Sequence, residues 1–177
     1  MNRFFVEQMA MYSAYHRDMR NRATHFIGIP AIVFSIYIPL AWVPLGRLGA
    51  IDVNPALVLL ATVSVFYIWL DRVIGAAMVA ILLVLYWLAV QVAGMGQTVG
   101  WSVFAAAFVG GWVFQLVGHV FEGRRPALAD NLLQALIGPM FLVAETVFAL
   151  GLKRELHEAV EARWKAYSVG ARLAAEA

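Results

Sequence analysis

The side chains in this sequence best suited to chemistry near neutral pH are its four histidines: His16, His25, His119 and His157. A neutral imidazole can carry a proton or ligate zinc, iron or copper. Cysteine is absent, which excludes disulfides, thiol catalysis and cysteine–metal chemistry. His16 and His25 are nine residues apart, on opposite faces of a continuous helix at about 100° per residue. Sharing one ligand therefore requires a break between them, and Asn21 or Thr24 can cap a new helix there. His119 and Glu122, three residues apart, share a helical face, and Gln115 precedes His119 by one turn. Gly118 lets another helix come close. His16, His25 and His119 with Glu122 would supply three nitrogens and one carboxylate, a donor set suited to non-haem iron or zinc. No short metal motif such as HExxH is present. His157 stands among Glu155, Glu158 and Glu161 and reads as a solvated surface residue.

Other polar residues need separate accounts. Glu145 lies inside an apolar stretch, where a carboxylate costs roughly 2.5–3.5 kcal/mol on insertion scales. It is a candidate catalytic residue beside Glu122, or else a glutamate hydrogen-bonded between helices. Arg124 and Arg125 follow the histidine–glutamate pair and suit a substrate carboxylate, with Asn21 as a further substrate-binding candidate. Asp130-Asn131 followed by Gln134 reads as a helix cap with its capping-box partner.

Composition determines what must position these groups. Hydrophobic residues make up 63% of the 177 and charged residues 14%, against about 45–50% and about 25% in soluble domains. A soluble domain of this size cannot bury so much apolar surface, so lipid must cover the remainder. The net charge of +2 gives no reason to expect nucleic acid as a partner. Charges interrupt every apolar run in residues 1–25, so no secretory signal is expected there. Phe4, Phe5, Met9 and Tyr12 recur at helical spacing, as in an amphipathic helix on the membrane surface. Five apolar stretches follow: Phe26–Val43, Pro55–Leu70, Val73–Ala93, Trp101–Phe121 and Leu132–Leu150. Each is near the length that crosses about 30 Å of hydrocarbon. Only Asp71-Arg72 joins the second to the third, which predicts a tight hairpin.

Arginine and lysine placement predicts orientation. Arg3, Arg17, Arg20 and Arg22 put the N-terminal segment in the cytoplasm, and the loop charges fit four crossings. That parity brings His16, His25 and His119 to one cytoplasmic face. The basic tail after Gly151 also belongs inside, which five full crossings would not allow. A re-entrant fifth segment, broken at Gly138-Pro139 into Leu132–Ile137 and Met140–Leu150, resolves the conflict. The alternative is a kinked fifth crossing with an external tail.

The residues at this point resemble a family. Tyr12-x-x-x-His16, Asn21-Arg22-x-x-His25, Gly28-Ile29-Pro30 and Gly118-His119-Val120-Phe121-Glu122, continuing GRRPALADNLLQAL, are similar to the membrane 2-hydroxy fatty acid dioxygenases. The resemblance runs from about Asn2 to Gly151. It implies an Fe(II)-dependent enzyme of fatty acid α-oxidation, using O2 to shorten a 2-hydroxy fatty acid by one carbon without 2-oxoglutarate. His16, His25 and His119 match its histidine positions. It does not decide between Glu122 and Glu145, and assigns His157 no role. A 2-hydroxy acid offers its hydroxyl and carboxylate oxygens as a chelate.

The expectation is an all-α, polytopic membrane helical bundle forming one domain over residues 1–177. It has an interfacial helix over 1–25, hydrophobic helices over 26–150 and an amphipathic tail over 151–177. The expected setting is a bacterial inner membrane, or the endoplasmic reticulum for a eukaryotic source, among membrane lipid. One rival is a small proton-coupled transporter or channel built on Glu145 and the Gly138-Pro139 break. Another is a scaffold that tolerates loss of any histidine. Histidine spacing alone does not separate iron from zinc or copper, and the oligomeric state is not legible.

Overall fold

The computed structural model describes residues 1–168. Seven α-helices account for most of them: α1 (Arg3–Ala14), α2 (Met19–Ala41), α3 (Pro55–Leu70), α4 (Arg72–Gly94), α5 (Gln97–Glu122), α6 (Gln134–Ala149) and α7 (Arg154–Glu161). A two-stranded antiparallel hairpin, β1 (Gly46–Leu48) with β2 (Ile51–Val53), connects α2 to α3. It went unforeseen in the apolar pattern because only three residues lie on each side of its turn.

Capping residues set the helix boundaries. Asn2 accepts from the N–H of Phe5 and starts α1. Asp18 accepts from the N–H of Arg20 and starts α2. The break between His16 and His25 therefore falls at residues 15–18, ahead of both Asn21 and Thr24, and Asp18 is the residue that caps the new helix. Asp71 ends α3 in extended conformation and caps α4 by accepting from Val73 and Ile74, which produces the tight hairpin. Gly123, at φ 66°, ends α5 as a left-handed cap.

α2, α4 and α5 are long and apolar enough to cross a membrane. α3, with 16 residues, is about 24 Å long at about 1.5 Å per residue. Large apolar side chains point outward on these helices, among them Val65, Trp87, Val109 and Val120. Such a surface is stable against lipid rather than water. α2 and α5 form the most extensive pairing. A Cβ on Gly111 would fall 2.8 Å from the carbonyl of Gly28, and one on Gly28 would fall 2.7 Å from the carbonyl of Gly111. Only glycine at both positions permits that approach.

The fifth apolar stretch departs from expectation. α6 runs unbroken through Gly138 and Pro139. The bend, 117° between α6 and α7, comes at residues 150–153, where Gly151 (φ 74°) and Lys153 (φ 54°) adopt left-handed backbone. Pro139 sacrifices one helical hydrogen bond, and dense packing holds the helix around it, with Ile137 through Ala144 all buried. Both ends of α6 contact the end of the bundle that carries the N-terminus. Gln134 donates to Gln8 at 2.7 Å and the Tyr67 hydroxyl donates to the Leu136 carbonyl at 2.8 Å. At the other end Lys153 pairs with Asp71 at 2.8 Å.

α1 is more deeply packed than a helix lying on lipid. Phe5, Val6, Met9 and Tyr12 are buried, against α6, α7 and the 3-10 turn Trp164–Tyr167. Leu156 and Val160 form the buried face of α7, and residues 169–177 of the tail lie outside the described residues. The 130–134 segment is not a capping box. Asn131 accepts from the N–H of Leu133 at 3.0 Å, Asp130 pairs with Arg125 and Tyr15, and the Gln134 side chain turns inward.

Candidate metal centre

His16 lies in the turn between α1 and α2, His25 in the second turn of α2 and His119 in the last turn of α5. All three are buried, and one ring nitrogen from each lies within 4.8 Å of the others. The Nδ1–H of His16 donates to the Tyr12 carbonyl at 2.7 Å, and that of His25 to the Asn21 carbonyl at 2.8 Å. Both acceptors are four residues upstream, one helical turn away. A neutral imidazole carries one ring proton, so each Nε2 keeps a bare lone pair. Those two Nε2 atoms are 3.1 Å apart. Two unprotonated acceptors at that distance repel unless a cation lies between them. His119 adds a buried Nδ1 without a hydrogen-bond partner.

The electrostatics agree with neutral rings. Burial first, then the neighbouring His25, holds His16 well below the usual imidazole range, so it is uncharged at neutral pH and available as a ligand. The Tyr12 ring stacks on His16 at 3.9 Å, nearly parallel, and fixes its plane. Burial pushes the Tyr12 phenol far above its ordinary value, so it stays protonated. The donors fit a borderline metal such as iron, zinc or copper. Metal–nitrogen bonds of about 2.0–2.1 Å require the loosest pair of rings to close somewhat from the present separation.

Among the described residues no carboxylate belongs to this cluster. Glu122 accepts from the backbone N–H groups of Arg17 and Asp18, each at 2.9 Å, and from the Asn21 amide at 3.0 Å. Asn21 also donates to the Tyr15 carbonyl. These two residues clamp the turn that carries His16. Glu145 pairs with Arg22 at 2.5 Å, and Arg22 Nε donates to the His16 carbonyl at 2.7 Å. Arg124 donates to the carbonyls of Ala14 and Tyr167 and lies 3.2 Å above the Tyr15 ring. Arg125 is mostly exposed and pairs with Asp130. His157 is exposed and stacks on Phe148. The structure thus brings the three histidines together and places Glu122, Asn21, Glu145, Arg124 and Arg125 around them, not among them.

A cavity of about 100 Å3 opens beside the histidines, lined also by Tyr12, Gln115 and Gln134. A second, almost wholly apolar cavity of about 340 Å3 runs between α2, α4 and α6, and shares Ile29, Val33 and Pro139 with the first. Sequence reasoning gave no role at this site to Arg22 or Gln134. Arg22 carried a visible signal, since it immediately follows Asn21 in the histidine block. Gln134 carried none, because Gln8, its partner, lies 126 residues away.

The sequence matches the family model described as 2-hydroxy-palmitic acid dioxygenase Mpo1-like over residues 2–150. It is similar to the Saccharomyces cerevisiae protein 2-hydroxy-palmitic acid dioxygenase MPO1, with 35% identity over 156 residues, covering 87% of this chain and 86% of that protein. No solved structure matches.

Proposed function

The chain belongs to the family described as 2-hydroxy-palmitic acid dioxygenase Mpo1-like, and from that premise we propose that it is an iron-dependent dioxygenase of 2-hydroxy fatty acids. The reaction shortens the acid by one carbon. The C1–C2 bond breaks, C2 becomes the carboxyl carbon of the shorter acid and C1 leaves as carbon dioxide. Dioxygen accepts the four electrons released, and one water forms. The observation that carries this reading is the pair of bare histidine nitrogens 3.1 Å apart, with His119 beside them.

His16, His25 and His119 would hold the metal. Fe(II) there supplies the one-electron chemistry that lets dioxygen react with an organic acid. The protein's own contribution is positional. Tyr12 and Asn21 carbonyls fix which nitrogen of His16 and His25 faces the centre. Glu122, and Glu145 through Arg22, act as positioning residues for the turn that carries His16. The buried walls exclude bulk water from the reacting carbons, and the apolar cavity that meets the histidine cavity at Ile29, Val33 and Pro139 accepts the acyl chain.

We place α2 through α5 across the bilayer, with α1, α6 and α7 at the end that holds the histidines. The contacts of both ends of α6 with that end support this arrangement, and the arginine distribution supports a cytoplasmic orientation. The transporter reading loses its basis, because α6 is continuous at Gly138-Pro139. The test is oxygen uptake by iron-loaded protein in detergent with 2-hydroxyhexadecanoic acid, with the shortened acid identified by mass. Uptake with a product one carbon shorter is expected. No uptake with any 2-hydroxy fatty acid overturns the assignment.

A further inference from the structure

Unpaired polar atoms in a protein interior are uncommon and call for an explanation. Four side-chain atoms stand buried and unpartnered among the described residues, and three of them line the cavity beside the histidines: Nδ1 of His119, Nε2 of Gln115 and Oε1 of Gln134. His119 itself belongs to the metal cluster. The two amides need another account: the Gln115 atom is an amide nitrogen, which ligates no metal, and the Gln134 atom is a neutral amide oxygen, a donor suited to hard cations rather than to a site built of imidazoles. Gln115 is 8% exposed and Gln134 1%.

The orientation of Gln134 is fixed from a distance. The backbone N–H of Leu133 can only donate, so the atom of Asn131 that it meets at 3.0 Å must be the oxygen. The Asn131 amide nitrogen therefore faces Gln8, at 3.3 Å, and Gln8 must present its oxygen. That oxygen in turn receives Nε2 of Gln134 at 2.7 Å. Oε1 of Gln134 is left without a partner, as a pure acceptor, on a residue that lines the cavity.

Among the described residues no Asp, Glu, Lys or Arg lines this cavity, and neutral amides supply the polar recognition there besides Tyr12 and the histidines. A pure acceptor cannot pair with a carboxylate, which is acceptor-only. It requires an O–H or N–H on the ligand. Nε2 of Gln115 is a pure donor and suits a carboxylate oxygen.

We infer that Gln115 and Gln134 read the two oxygen groups of the acid's head, Gln115 donating to the carboxylate and Gln134 accepting from the 2-hydroxyl. The inference rests on the proposed function for its substrate class. It assigns selection of 2-hydroxy acids over plain fatty acids to Gln134, with Gln8 and Asn131 holding its amide in place. A plain acid would leave Oε1 of Gln134 unpaired, which is the condition that gives sites built for a hydroxyl their discrimination.

The test is equilibrium binding of 2-hydroxyhexadecanoic and hexadecanoic acids to the full-length chain in detergent, with oxygen uptake measured separately. Wild type should prefer the 2-hydroxy acid. Gln134→Met should reduce that preference roughly tenfold. Gln115→Met should weaken both acids roughly tenfold and leave their ratio unchanged. Gln8→Leu lies outside the cavity, frees the Gln134 amide to turn over and should also erode the preference. It keeps the test decisive should Gln134→Met fail to fold. Variants that bind both acids like wild type overturn the inference, even if oxygen uptake is normal. Wild type that prefers the 2-hydroxy acid but consumes no oxygen overturns the function while the binding ratios still decide the roles of the glutamines.

Discussion

Glu122, at the end of α5, accepts a hydrogen bond from the backbone N–H of Asp18 at 2.9 Å, across 104 residues of sequence. The same carboxylate accepts from Arg17 and from Asn21. It thereby ties the C-terminal turn of one histidine-bearing helix to the turn that holds His16.

Glu122→Ala removes all three hydrogen bonds at once. Hydrogen bonds to a charged group contribute about 1.5–3 kcal/mol when buried, and this group is partly exposed. A loss of about 1–3 kcal/mol in unfolding free energy is expected. Metal affinity should fall roughly 10–100-fold, the usual consequence of losing a residue that orients a ligand. Chemical unfolding and metal titration in detergent measure the two effects. Unchanged metal affinity would show that His16 does not depend on the clamp.

The Arg22–Glu145 pair has a different signature. Arg22 also holds the His16 carbonyl, so the two charges are coupled to each other and to the site. A double-mutant cycle with Arg22→Met and Glu145→Met should yield a coupling energy within about 0.5–3 kcal/mol. Glu145→Met alone should cost more than the double variant, since it leaves an uncompensated guanidinium in a mostly enclosed position. Additive effects would mean that the pair acts only as two independent surface charges.

Asp71 provides a dependence on pH away from the metal. Its burial would raise its pKa, but the Lys153 hydrogen bond and charge, with the N–H groups of Ile74 and Val73, hold it below the ordinary value of 3.8. A carboxylate depressed in the folded state adds stability above its unfolded pKa and loses it as pH falls toward its folded one. The stability difference between wild type and Asp71→Asn should thus be constant above about pH 5 and shrink below 3.8. Unfolding measured across this acid range checks the sign. A difference that grows on acidification would contradict it.

The groove between α2, α4 and α6 should set acyl chain preference. Each buried methylene contributes about 0.8 kcal/mol, so affinity should rise with chain length until the groove is filled. Ala77→Trp places a large ring in the groove from an exposed position on α4. It should depress turnover of the 16-carbon acid far more than that of an 8-carbon acid. Equal losses for both lengths would locate the chain elsewhere.

Much of this arrangement was legible in the sequence because it follows from periodicity and parity. Loop charges alone put His16, His25 and His119 on one face, and Asp71-Arg72 alone made a hairpin. Side-chain pairings across 100 residues or more leave no local pattern, and so the roles of Glu122, Arg22 and Gln134 were not readable. Pro139 misled for a physical reason. Proline ends helices in isolation, whereas here close burial of its neighbours on α6 compensates for the missing bond. The true bend was marked more faintly, by Gly151 at the edge of the apolar stretch.

The most direct test of the metal-dependent account is elemental analysis of the purified wild type beside His16→Ala, His25→Ala and His119→Ala, with folding checked by thermal unfolding. About one iron per chain in wild type and none in each folded variant is the expected result, as three shared ligands require. Folded wild type without bound metal, even after anaerobic Fe(II) loading and desalting, would contradict the account.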